Sequence, residues 1–512
     1  MRSVLRVNAA RVLLSLVLFG FVVHDASAEQ PSPVAPQDPA IPSEAQLAAD
    51  AGNAFALKLY QQLAGQEAGN FCCSAHSVAA VCLLTTPGAD DQFTREVLSA
   101  LGYSSADGQS VDAAEILRGT RALESALAPP AGPQQVAKRQ QLAQLETQWA
   151  ALKLTIQATG GENYQLYQRE RKLVDQINAL RQQLDPYQLR FANALWCDGQ
   201  FPLRPEFLAI VQQAGAAEAH NVDFRKQPDQ QRERINAWVG ERTNDRIPNL
   251  LGEGTIDALT RVVLTNAVYF QGDWAEPFKQ SRTKPAPFTK VDGSTEQTPL
   301  MNQFIAAKFA ELRPDGSINQ LVQQDAPPGS QYEFVWEWPE NPDGVKLLEL
   351  PYKGNQVSML LVLPGRPTGL ADIEAQLSPE QLSRWLQAMQ SQEVRIGLPR
   401  FTLRSSFELS PMLRQLGITV PFQPGGLAHL SDHPEARELA VGMVVHQTFV
   451  QVNEKGTEAA AATALIAPAA AAPQAPKPDP EFIADHPFLF LIRHNRTGAI
   501  LFIGRVAQPQ AE

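Results

Sequence analysis

The sequence predicts an α+β fold, and three observations point to it. Beyond Leu189, short apolar or alternating runs (RFANALWC, RVVLTNAVYF, VSMLLVLP, FLFLIR) read as strands, several of them central. Helical segments such as RERINAWVGER and SPEQLSRWLQAM lie between them. The two types mix without the regular alternation that builds a parallel βαβ sheet. The 512 residues leave room for a large core or for two to three domains. A hydrophobic fraction of 44% with 19% charged residues is ordinary for a globular chain.

Taken from the N-terminus, residues 1–28 read as an export signal. Arg2, Arg6 and Arg11 precede an apolar run from Val12 to Val23, and Ala26-Ser27-Ala28 offers a small-residue cleavage site. The run is too short for a comfortable membrane span, so the mature chain is expected to have none, and to be secreted or periplasmic. An uncleaved anchor is the weaker alternative. Residues 29–45, rich in proline, alanine and serine, read as a flexible tether. The main domain is then expected over 46–512. Its first part, Gln46 to Ala128, reads mostly as helix from the apolar spacing in AGNAFALKLYQQL and SVAAVCLLTT. Export would place the four cysteines in an oxidising compartment, but Cys72, Cys73, Cys82 and Cys197 all sit in apolar stretches and read as buried free thiols.

An insertion over 129–187 interrupts this domain. After PPAGP, Leu142, Leu145, Trp149, Leu152 and Ile156 repeat at spacings of 3 and 4. Beyond Gly160-Gly161, Leu173, Ile177, Leu180 and Leu184 do the same, and Pro186 closes the segment. Two such stripes predict an antiparallel helical hairpin. A second, looser insertion rich in proline and glycine runs from about 311 to 344.

Functional classes narrow quickly. A net charge of −11 argues against a nucleic-acid partner. The chain has no nucleophile elbow, no phosphate-cradling glycine loop and no HExxH, so no enzyme activity, metal or cofactor is expected. His429 and His433 are four apart, but they lie among prolines and glycines with no third ligand in view.

The informative stretch is EKGTEAAAATALIA, from Glu454 to Ala467. Read as a strand, it puts Thr457, Ala459, Ala461 and Thr463 on one face, all small and uncharged. Glu458 falls on the other face. A segment that slides between existing strands needs this pattern, because a charged side chain on the core face would have to be desolvated. Proline, which removes a ladder donor, is absent up to Ala467, and Gly456 supplies a hinge. Composition alone leaves a flexible alanine-rich linker equally open.

VNEKGTEAAAATA resembles the hinge of the serpins, inhibitors that trap serine proteases by loop insertion. LTNAVYFQGDW (Leu264 to Trp274) is similar to that family's NAxYFKGxW motif, and HPFLFLIRHNRTGAILFIGRV (His486 to Val506) to its C-terminal signature. INAWVGERTNDRIPNLL, ANALWCDGQFPLRPEF, LELPYKG and LPRFTL are also serpin-like, so the resemblance covers most of the chain from about Gln46. It implies a serpin fold with a large central sheet A, further sheets, about nine helices and an exposed reactive-centre loop. It also implies a suicide mechanism: a protease cleaves the loop, is held as an acyl-enzyme, and is carried off as the severed loop becomes a strand. Seventeen residues from Glu454 reach roughly 55 Å when extended, enough to cross a domain.

By position, the resemblance assigns a shutter to Ser74, Ser77, Asn266 and His446, and a breach to Trp274, Arg400 and Glu454. Ala75 stands where the family usually has proline. The hinge is Glu454, Gly456, Thr457, Ala459, Ala461 and Thr463. Counting seventeen residues from Glu454 puts the reactive bond at Ala470–Ala471, with Ala469 or Ala471 equally open as the cut residue. These small side chains suit an elastase-like or subtilisin-like serine protease, held in a covalent complex by a monomeric inhibitor. The alternatives are a non-inhibitory chaperone or carrier, and an adaptor that docks a partner through the helical hairpin.

Overall fold

A computed structural model describes residues 41–510, except 89–90, 104–112, 128–132, 159–163, 185–186, 215–216 and 456–474. The first part of the chain forms α1 (Ser43–Ala64), β1 (Phe71–Cys73), α2 (Ala75–Thr85), α3 (Asp91–Ala100) and α4 (Ala113–Leu127). The inserted pair α5 (Pro133–Ala158) and α6 (Tyr164–Leu184) follows. Next come β2 (Tyr187–Asp198), α7 (Pro205–Ala214), β3 (Glu218–Val222), α8 (Pro228–Arg242), β4 (Val262–Gly272), β5 (Lys284–Thr289) and β6 (Thr295–Leu312). The chain continues through β7 (Val322–Asp325), β8 (Phe334–Glu337), β9 (Val345–Pro351), β10 (Val357–Pro364), α9 (Leu370–Gln376) and α10 (Pro379–Ala388). It ends with β11 (Gln390–Pro399), β12 (Phe401–Glu408), α11 (Ser410–Gln415), β13 (Met443–Val452), β14 (Glu481–Ile483), β15 (Phe488–His494) and β16 (Ile500–Val506).

The α+β expectation holds. One sheet has five strands in the order β12-β13-β4-β2-β3. A nine-stranded sheet runs β1-β16-β15-β10-β9-β6-β11-β14, with β5 added on β6. The described residues hold eleven α-helices rather than about nine, two of them the inserted pair.

Alternation along the strands sets the layers of the five-stranded sheet. Ala194, Trp196, Val263, Ala267, Tyr269, Val445 and Phe449 face α8 and pack with its Ile235 and Val239. The opposite faces of the same strands carry Leu195, Leu264 and Val444, which join the core around α2 and the nine-stranded sheet. All eleven residues of α2 are buried, so this helix has no solvent face and crosses the centre of the molecule.

Local differences from the sequence reading have physical causes. Helix α1 starts at Ser43, inside the expected tether, because Ser43 and Glu44 suit a first helical turn. The expected loose region from 311 begins as strand, since β6 runs on to Leu312, and it contains the β7–β8 hairpin. Its Pro327, Pro328 and Gly329 form the turn between these strands rather than marking the whole segment as loop. All four cysteines are free and buried, as expected. No helix among the described residues is long and apolar enough to cross a membrane.

Candidate functional site

The centre of the five-stranded sheet is a parallel seam. β13 pairs directly with β4 from Met443↔Val263 to Val450↔Phe270. The ladder stops two residues short of the end of each strand, so the strands part at the top.

Midway along this seam lies a buried polar row. The register sets His446 opposite Asn266, and Asn266 opposite Asn193 of β2. All three share the face covered by α2. Ser74 N donates to His446 Nε2 at 3.1 Å, so Nε2 is the acceptor and the ring proton sits on Nδ1. Nδ1 then donates to Asn266 Oδ1 across the seam. The amide nitrogen of Asn266 donates to Ser77 Oγ at 2.5 Å and to Asn193 Oδ1 at 2.6 Å, and Ser77 Oγ donates to Asn193 Oδ1 at 2.9 Å. Every donor in this chain runs in one sense, which fixes the amide orientations. The structure therefore brings Ser77, Asn266 and His446 together with the backbone of Ser74, whereas the Ser74 hydroxyl has no partner among the described residues. Ala75 is the first residue of α2, a position that proline also suits.

Burial pushes the His446 imidazole down to about 3, and that of His76, on α2, down to about 4. Both are neutral in the folded protein. The unfolded chain takes up protons near 6.5 while the native one does not, so stability is lost as pH falls through that value. Glu124, whose carboxyl burial raises to about 7, acts in the opposite sense. The His446 share is therefore read from a variant. His446→Gln should flatten the pH dependence of unfolding by about 1.4 kcal/mol between about pH 7.5 and 5.5, followed by denaturant titration. An unchanged slope would mean that His446 is charged in the fold.

At the top of the seam, Trp274 Nε1 donates to the Asn453 carbonyl at 2.9 Å, and its backbone N–H to Lys455 O at 3.3 Å. The indole stacks on Tyr352 at 4.5 Å between ring centroids. Arg400 Nε reaches Glu454 Oε1 at 2.7 Å, a second guanidinium nitrogen makes the same contact, and Thr283 donates to that oxygen as well. Burial alone would raise the Glu454 carboxyl, but these charge-assisted bonds outweigh it and hold the group below its usual range. Trp274, Arg400 and Glu454 thus meet where β13 leaves the sheet.

Sequence reading missed Asn193, Thr283 and Tyr352. An asparagine inside the apolar strand RFANALWC was the available signal for the first. The hinge positions Gly456, Thr457, Ala459, Ala461 and Thr463, and the reactive bond at Ala470 and Ala471, lie outside the described residues. So do the export signal and most of the tether. His429 lies within one short 3-10 turn and His433 caps the next, and the described residues contain no cluster of three or more His, Cys, Asp or Glu side chains able to hold a metal.

The family profile described as "Serpin (serine protease inhibitor)" matches residues 50–509. The leukocyte elastase inhibitor of Bos taurus is 40% identical over 330 residues, which covers 63% of this chain and 78% of that protein. Human serpin B4 is 35% identical over 340 residues, covering 66% and 78%. Among solved structures, Arabidopsis AtSerpin1 in its native stressed conformation superposes with a TM-score of 0.65 at 24% identity, over 91% of this chain and 98% of that one.

Proposed function

The chain belongs to the serpin family of serine-protease inhibitors, and from that premise we propose that it traps elastase-like or subtilisin-like proteases by inserting its cleaved loop between β4 and β13. The observation that carries this reading is the closed parallel seam, from whose top the chain of β13 departs. The chain leaves the top of β13 at Lys455 and rejoins the structure at Ala475, before β14 on the other sheet. A segment that folds back from the top of β13 runs antiparallel to it, and so antiparallel to β4 as well. Insertion then replaces one parallel ladder by two antiparallel ones, which pair slightly better per residue.

The residues divide by their place on this path. Trp274, Arg400 and Glu454 hold the entry point. Ser77, Asn193, Asn266 and His446, with the Ser74 backbone, latch the middle of the seam. A polar latch suits a sheet that must open, because its hydrogen bonds can be exchanged for others as the strands part. Gly456 acts as the hinge, and the small face of Thr457, Ala459, Ala461 and Thr463 enters the core. The protein performs no chemistry of its own: the protease forms the acyl-enzyme with its own nucleophile. The leukocyte elastase inhibitors among the relatives and the alanines around Ala470 both favour a target with a shallow specificity pocket. The signal-like residues 1–28 favour export, and we place the inhibitor outside the cytoplasm. The small, uncharged hinge face speaks against a non-inhibitory carrier.

Incubation with elastase, subtilisin and trypsin separates these points. A complex with elastase or subtilisin should survive denaturing electrophoresis, and sequencing of the released C-terminal fragment should begin at Ala471 or an adjacent alanine. Clean turnover of the loop by all three enzymes, with no complex, would overturn the reading.

A further inference from the structure

Among the described residues the β7–β8 hairpin pairs only with itself, from Val322↔Glu337 to Asp325↔Phe334. Two strands of four residues are marginal alone, so the hairpin depends on what it packs against. Its root is firm. The buried Glu311 carboxylate accepts from Asn319 Nδ2 at 3.0 Å and Asn341 Nδ2 at 3.1 Å, and Asn341 also reaches the Leu312 carbonyl at 2.9 Å. The same open end of the hairpin, at the C-terminal end of β8, meets the chain just beyond the reactive loop. Lys477 Nζ lies 4.1 Å from the centre of the Trp336 ring, and Trp338 Nε1 donates to the Pro478 carbonyl at 3.3 Å.

These contacts sit immediately before β14, which is short and lies at a sheet edge. Among the described residues it pairs on one side only, from Arg395↔Glu481 to Gly397↔Ile483. Arg395 N donates to Pro480 O at 2.9 Å, Lys346 Nζ reaches the Glu481 carbonyl at 3.3 Å, and Phe482 is buried beneath. An uncut loop can become a full strand between β4 and β13 only if the chain beyond it comes free, because the inserted end moves away from β14. Three paired residues are a weak hold against that pull.

We propose that the β7–β8 hairpin is a clamp on the far end of the reactive loop, with Trp336 and Trp338 as positioning residues that keep the uncut loop out of the sheet. The inference rests on loop insertion as the protein's mode of action. It gives the 313–344 insertion and the proline-rich stretch after the reactive bond one shared task. Cleavage separates the inserting half of the loop from the clamp, so the trapping step itself does not involve it.

The test compares the full chain with the Trp336→Leu/Trp338→Leu double variant and with Lys477→Gln, an exposed change that leaves the core intact. Amide exchange at residues 482–484 should rise about tenfold in the double variant and a few-fold in Lys477→Gln, with β15 unaffected. Uncut protein warmed without protease should convert to a heat-stable form about tenfold faster in the double variant, while the melting temperature of the cleaved form stays unchanged. A merely structural role would lower that melting temperature too. Unchanged exchange at 482–484, or faster exchange without faster conversion, overturns the clamp. The exchange and conversion readouts need no protease and the cleaved form needs only one that cuts the loop, so a parent chain that traps no protease would count against the inhibitor reading and not against this one.

Discussion

Cutting the chain between Thr463 and Ala475 with a protease that is not trapped is expected to raise the melting temperature by about 10 °C. The reasoning follows the ladders. In the intact fold β4 and β13 bond to one another over the stretch from Val263 to Phe270. An inserted strand made of 457–467 and the residues after it gives each of those strands a new partner, and satisfies both edges of its own backbone. The net gain is on the order of ten hydrogen bonds, each contributing about 1 kcal/mol. For a chain of this size that corresponds to about 10 °C. Differential scanning calorimetry of intact and nicked protein reads the difference directly. Ala461→Arg supplies the control, since its guanidinium would enter the core side of the sheet at a desolvation cost of several kcal/mol. That variant should be cleaved by the target protease without forming the complex, and its rise in melting temperature should largely vanish. A rise of only a degree or two in the parent chain would mean that the seam does not open.

Asn266→Ala should destabilise the intact protein by about 2–4 kcal/mol and the cleaved protein by much less. Asn266 is the hub of the buried row: it accepts from His446 Nδ1 across the seam and donates to Ser77 and Asn193 on its own side. Its loss leaves a buried imidazole N–H without that acceptor and away from bulk solvent, since Asn266 and His446 are fully buried. In the expanded sheet a new strand stands between β4 and β13, so the bond from His446 to Asn266 is already broken in the parent chain. The variant then has less to lose. Denaturant titration of both forms measures the two costs. Equal losses would place the row outside the opening seam and leave it as ordinary core.

The strands RFANALWC, RVVLTNAVYF, VSMLLVLP and FLFLIR were legible because they are short apolar runs bounded by polar turns, and the structure places them in β2, β4, β10 and β15. The heptad-like stripes from Leu142 and from Leu173 were legible for a similar reason, as each lies along a single helix, α5 or α6. The polar row was legible only in part. Asn266 and His446 were found by resemblance and not by pattern, since one polar residue in an apolar strand does not announce its partner. Asn193 was missed because its role depends on register. It counts only once β2 runs antiparallel to β4, β13 runs parallel to it, and one pleat sets 193, 266 and 446 side by side. The link between Trp336 and Lys477 had no local signal either, as 141 positions of chain separate them.

The order of amino acids determined which stretches become helices and strands, and which loop can enter a sheet, because periodicity, side-chain size and the absence of proline act over a few neighbouring residues. Tertiary structure alone decided that the seam closes on a directional chain of hydrogen bonds, and that the β7–β8 insertion meets the chain just beyond the loop. Those outcomes depend on strand register and on which elements pack together, and both are settled by the balance of burial over the whole molecule.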